Sequence, residues 1–201
     1  MGPSGTMSRT GLVFALLGAL GCTPAVVAPP RQAVHRIAVL PPYSVRGNDF
    51  PTQAGASDAL GPRQMTVGAV LAEQARGQLA AKGYTVVDPG VVQVATKDRL
   101  PTSPQEAAAI AEQAHLDATA MYIEVLVWEP NWVGMKTDSV IVALNVMLID
   151  PQTGAILWQV HRDPKPVPLY GTLLTGQANV FVAETVMREI LAPLRPERPP
   201  V

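Results

Sequence analysis

Few residues in this chain have the types and spacing that chemistry needs. Gly55-Ala56-Ser57-Asp58-Ala59 has the outline of a nucleophile elbow, but its last residue is Ala where glycine is required, and no strand precedes it. An elbow works by lifting a serine hydroxyl on a strained strand-to-helix turn, so a plain loop turn is expected here. The three histidines, His35, His115 and His161, are far apart in the sequence, and none stands at metal-ligand spacing from another. Glu124 and Glu129 are the nearest approach to a carboxylate pair. No other polar groups gather near them in sequence, and a solvated strand edge or an ion pair to Lys136 is the expected role. Asn145 interrupts an apolar run and must find a hydrogen-bond partner if it is buried. No phosphate-cradling glycine loop is present. The expectation is a protein with no metal, no cofactor and no catalytic activity.

The elements that position these residues centre on three successive strands, expected at 119–128, 139–150 and 155–160. In the middle one, Val140, Val142, Leu144, Val146 and Leu148 fall on one face, and Ile141, Ala143, Met147 and Ile149 on the other. A meander strand usually has one polar face, so a strand that is apolar on both must be covered on both. Asp150-Pro151-Gln152-Thr153-Gly154 carries the proline and glycine of a tight hairpin turn. In the first strand, alternation places Met121, Ile123, Val125 and Val127 toward the helices. Tyr122, Glu124, Leu126 and Trp128 then point the other way, with Trp132 and Trp158 beside them. Those six residues form a candidate partner-contact face, because exposed aromatic patches commonly mark contact surfaces. Coverage by the 43–62 segment or the tail is the competing reading.

Before the meander, Arg36-Ile37-Ala38-Val39-Leu40 is a short strand stopped by Pro41 and Pro42, and 43–62 reads as a long mobile loop. A helix is expected from Gln64 to Lys82, with Val67, Val70, Leu71, Ala75 and Leu79 on one face and Gly83 as its stop. Tyr84-Thr85-Val86-Val87 is a second strand, and Asp88-Pro89 opens a short helix. Ser103-Pro104-Gln105-Glu106 is a capping box for another helix, running to about Ala114. Arg162 to Tyr170, with three prolines, reads as irregular, and a last helix spans 173–191. The order β-α-β-α-β-β-β-α gives the expected fold class: a two-layer α/β sandwich, with a mixed sheet of about five strands and helices mainly on one face.

Composition fits one domain with appendages: 201 residues, 48% hydrophobic, 15% charged and a net charge of −1. That charge lacks the electrostatic footprint of a nucleic-acid binder. The lone cysteine, Cys22, follows a basic Arg9 and an apolar run from Gly11 to Leu20. The run is too short to span a bilayer and reads as a secretory signal. Ala19-Leu20-Gly21-Cys22 resembles the lipobox of bacterial lipoproteins, in which the cysteine is lipidated and becomes the mature N-terminus. Acyl chains at about 0.8 kcal/mol per buried methylene then hold the protein on the membrane. The expected division is a signal peptide over 1–21, lipidated Cys22 and tether over 22–34, an α/β domain over 35–192 and a Pro-rich tail over 193–201. Thr23 is not the aspartate that retains lipoproteins in the inner membrane in the best-known sorting system. That likeness implies the periplasmic face of the outer membrane.

A family resemblance rests on Ile37-Ala38-Val39-Leu40-Pro41-Pro42, on Gly83-Tyr84-Thr85-Val86-Val87 and on the Asp117-Ala118 step into Tyr122-Ile123. Trp128 and the Asp150-Pro151-Gln152-Thr153-Gly154 turn into Leu157-Trp158 complete it. Over residues 35–191 the chain resembles bacterial lipoproteins of unknown function of the meningococcal surface-antigen type. Their core is similar to the curli-secretion subunit CsgG, the cell-wall synthase activator LpoB and the N-terminal domain of TolB. The run of small polar residues that follows the first strand in that family is replaced here by the 43–62 segment. The resemblance implies a non-enzymatic, lipid-anchored component of an envelope complex, serving export or cell-wall synthesis. Its partners would be other envelope proteins or copies of itself. The alternatives are an envelope hydrolase using Ser57, Asp58 and a histidine, and a carrier of a small apolar ligand or lipid.

Overall fold

The computed structural model describes residues 34–45, 51–52, 65–133, 136–170 and 175–195. The signal segment, Cys22, the tether through residue 33, Ser57 and Asp58, and the tail from residue 196 lie outside the described residues. Strand β1 (Arg36–Val39) is followed by two-residue strands β2 (Tyr43–Ser44), β3 (Pro51–Thr52) and β4 (Met65–Thr66). Helix α1 (Val67–Ala81), strand β5 (Thr85–Val86), helix α2 (Pro89–Thr96) and helix α3 (Pro104–Gln113) come next. The meander β6 (Thr119–Val133), β7 (Lys136–Ile149) and β8 (Ile156–Pro168) leads into helix α4 (Thr175–Leu191). The main sheet runs β5-β1-β6-β7-β8, with β2 extending the β1 line alongside β6. β1 pairs in parallel with β5 and β6, and the meander is antiparallel, so the sheet is mixed.

Local chemistry sets the helix ends. Thr66 caps α1 by accepting from the Ala69 N–H at 3.1 Å, so the helix begins at Val67 and not at the expected Gln64. Asp88 accepts from the Gly90 and Val91 N–H groups at 2.8 and 3.2 Å, with Pro89 at the first turn of α2. Ser103 caps α3 through the Glu106 N–H at 3.1 Å. Glu106 reaches back one residue further than in a standard box, accepting from the Thr102 N–H at 2.9 Å and its hydroxyl at 2.6 Å. Those two bonds hold the Glu106 carboxyl below its ordinary range.

Both faces of β7 are covered, as its pattern requires. Val140, Val142, Leu144, Val146 and Leu148 pack with α1 and α4 residues, among them Leu71, Leu79, Val182 and Met187. Met147 and Ile149 lie in a second cluster with Val92 of α2 and Ala107, Ala108 and Ala111 of α3. The two long helices therefore share one face, and the two short ones cover part of the other. All five residues expected on the inner face of α1 are buried.

Three boundaries differ from the expectation. The 43–62 segment, read as loop, contributes β2 and β3 where it is described. Val34 and Leu194, placed in tether and tail, are both buried in the core. The stretch 162–168, read as irregular because of its prolines, continues β8. β8 is the last strand of the sheet, where alternate backbone amides face away from β7 and a proline forfeits no ladder bond.

Candidate functional site

The outer surface of the meander was the expected contact face, and the structure buries three of its six residues. Tyr122 does point away from α1 and α4, but it is 0% exposed, sealed in the cluster with α2 and α3. Trp128 and Trp158 are 5% and 1% exposed and pack on the opposite, α1/α4 side. The reason for Trp128 is a β-bulge. Val125 opposes Leu144, Val127 opposes Ala143, and Leu126 is the extra residue between them. From that point the parity of β6 is inverted. Trp128 thus faces the same way as Val142, and its indole N–H donates to Asn179 Oδ1 of α4 at 3.1 Å. Trp158 opposes Leu148 and shares that residue's face. Glu124 and Leu126 remain half-buried. Trp132 lies in β6, and its side chain is outside the described residues.

A polar row takes the place of the aromatic patch. Glu124, Asn145 and His161 stand opposite one another on β6, β7 and β8. Asn145 Nδ2 donates to Glu124 Oε2 at 2.7 Å. Its Oδ1 therefore faces His161 Nδ1 at 2.6 Å, a contact to which the ring nitrogen brings the proton. His161 Nε2 lies 3.2 Å from Asp163 Oδ1. The partner that Asn145 required is thus found on both neighbouring strands. The row holds carboxylates, an amide and an imidazole but no hydroxyl or thiol, and its hydrogen bonds join three strands. Glu124 and Glu129 are not a carboxylate pair: five residues of strand separate their backbones by about 16 Å.

Tyr122 lies beside this row, and its hydroxyl is buried without a hydrogen-bond partner, as is that of Tyr84. Burial pushes the Tyr84 phenol up from 10.0 to about 12. Tyr122 is raised further, by burial first and then by the negative charge of Glu124, of ionised Tyr43 and of Glu106. Phenolate in the unfolded chain forms near pH 10, before either buried tyrosine ionises. Stability therefore falls as pH climbs from about 10 toward 12 and above. Absorbance at 295 nm is expected to show two of the four tyrosines titrating late in the folded protein. Tyr84→Phe and Tyr122→Phe are each expected to raise the unfolding free energy by about 1 kcal/mol, because each removes an unsatisfied buried hydroxyl. A loss of stability in urea titrations of either variant would contradict this.

At the other end of the sheet an open cleft of about 1120 Å³ lies between the start of β1, the α3–β6 connection and the β7–β8 turn. It is lined by His35, Arg36, His115, Asp117 and Asp150, so two histidines distant in sequence line one cleft. His115 and Asp117 have φ of 49° and 44°. The His115 and Leu116 amides bond back to the Glu112 and Ala111 carbonyls, so His115 serves as the left-handed cap that ends α3. Arg36 Nη1 lies 3.7 Å from Asp117 Oδ2. Among the described residues no three His, Cys, Asp or Glu side chains converge as a metal set. This cleft is not the closed cavity between sheet and helices that a lipid carrier would use. Sequence spacing gave no sign of it, since its walls come from three separate connections.

No family model matches the sequence, and no curated protein matches it. Among solved structures the fold is similar to the PelC dodecamer of Paraburkholderia phytofirmans, with a TM-score of 0.50 at 16% identity, covering 87% of this chain and 99% of that one. A methionine-substituted variant of that protein, also a dodecamer, matches at 0.52 and 17% over the same shares. A lipoprotein from Neisseria meningitidis is similar at 18% identity and a TM-score of 0.44, over 76% of this chain and 97% of that one. At these identities the likeness is one of fold: an α/β sandwich on a mixed, open sheet.

Proposed function

We propose that this chain is a lipid-anchored protein of the bacterial cell envelope that works by binding copies of itself and other envelope proteins, without catalysis. The observation that carries the reading is Cys22, the only cysteine in the sequence, at the lipidation position of Ala19-Leu20-Gly21-Cys22. A lipid there confines the protein to a surface, which raises its effective concentration for self-association. The dodecameric state of PelC, a protein of similar fold, supports assembly with copies of this chain. The periplasmic face of the outer membrane is the proposed site, from Thr23 at the position after the cysteine. Service to an export or cell-wall complex belongs to the same proposal.

The test is the full chain extracted from membranes of an expressing bacterium. Intact-mass analysis is expected to find acyl chains on Cys22, and light scattering in detergent a mass of several copies. Cys22→Ser is expected to leave the chain in the soluble fraction. An unmodified thiol on a monomer that captures no envelope protein after crosslinking would defeat the reading.

A further inference from the structure

Along its edge away from β7, where no strand pairs with it among the described residues, β8 reads Asp163-Pro164-Lys165-Pro166-Val167-Pro168. The register sets Lys165 against Val142, Pro166 against Ile141, Val167 against Val140 and Pro168 against Ser139. Leu169 donates its N–H to the Asp138 carbonyl at 2.9 Å, which fixes the phase of the ladder. Odd residues 165, 167 and 169 turn their backbone groups inward to β7, and even residues 166 and 168 turn theirs outward. The outward positions are both proline, and Pro164, within the register shift between Arg162 and Lys165, has no N–H of its own either. This half of the edge consequently offers no amide to an incoming strand. At the opposite side of the sheet the edge is blunted by shortness, since β5 and β2 are two residues each. Edge strands left open are templates for pairing with another chain, and proline and brevity are recognised ways to close them.

We infer that the 163–168 half of β8 is closed to strand addition by its outward prolines, so that copies of this chain do not extend the sheet along it. The inference rests on the self-association proposed above and says which surface that association avoids. It matters most for a membrane-tethered protein, where crowding on one surface favours unwanted pairing.

The test is Pro164→Thr/Pro166→Thr/Pro168→Thr in the full chain, followed by sedimentation velocity and by hydrogen exchange. Threonine suits an edge strand, and these positions donate nothing to β7, so a native circular-dichroism spectrum is expected. The variant should associate at least tenfold more tightly than the unsubstituted chain, and the new amides at 164, 166 and 168 should exchange slowly in the associated form. Unchanged association by a folded variant would overturn the inference, as would stronger association with those amides exchanging freely. Should the triple variant not fold, Pro166→Thr alone is read by the same two measurements. The unsubstituted chain's own mass decides whether the protein self-associates, and the change on substitution decides whether β8 is guarded.

Discussion

Trp158→Ala is expected to lower the unfolding free energy by about 3–5 kcal/mol, the range for truncating a large aromatic in a packed core. Its indole is 1% exposed and sits with Leu148, Val160 and the inner faces of α1 and α4. Alanine there leaves a cavity between two long helices and the sheet that they are unable to close by a small shift. Trp128→Ala should cost a comparable amount, with the loss of the bond to Asn179 added to the loss of packing. Trp128→Phe keeps most of the volume and should cost roughly 1–2 kcal/mol. Urea titration distinguishes this from a contact role. A tryptophan that served a partner would leave the midpoint alone and weaken association, whereas these should move the midpoint and leave the slope unchanged. A stable Trp158→Ala protein that no longer self-associates would return Trp158 to the contact face.

The same residues show where the sequence is legible and where it is not. The two-sided apolar pattern of β7 foretold layers on both faces, and both are present, because β7 itself keeps strict alternation from Val140 to Ile149. Capping residues foretold α2 and α3 because a cap is local: Asp88 and Ser103 bond to amides two or three residues away. Trp128 was placed on the wrong face because side-chain parity is countable only until a bulge. The bulge at Leu126 shows only in the pairing of β6 with β7, not in the alternation of β6 alone. The register shifts on the β8 side likewise hid the meeting of Asn145 with His161. Prolines misled for a related reason. Their meaning depends on whether the strand has a neighbour on that side, which is a property of the sheet and not of the segment.

Arg162→Met is expected to destabilise the protein by about 2–4 kcal/mol, although Arg162 was not distinguished by its sequence. It is the one charged residue among the described residues that is buried, at 6% exposure. The register shift between Leu144/Arg162 and Val142/Lys165 explains its position. A bulge bends the strand and disrupts the ladder locally, and here the Arg162 guanidinium adds donors beside it. Nη1 donates to the Val142 carbonyl and, at 3.3 Å, to that of Lys165. Methionine would fill the volume but lose both bonds, and a hydrogen bond from a charged group contributes about 1.5–3 kcal/mol. Glu189 of α4 contributes less. Its carboxylate is 3.5 Å from Arg162 Nε, and its side chain is 55% exposed, so solvent screens the pair. Glu189→Gln should therefore cost no more than about 1 kcal/mol, the scale of an exposed ion pair. The contrast separates two accounts of the arginine. If the ion pair were its purpose, the two single variants would cost similar amounts and their double variant little more than either. If it serves the bulge, Arg162→Met dominates, and the β8 amides around 162–165 lose hydrogen-exchange protection while those of α4 keep theirs. Arg162→Met within about 0.5 kcal/mol of the unsubstituted protein, the usual span of a neutral surface change, would show that the bulge holds without it.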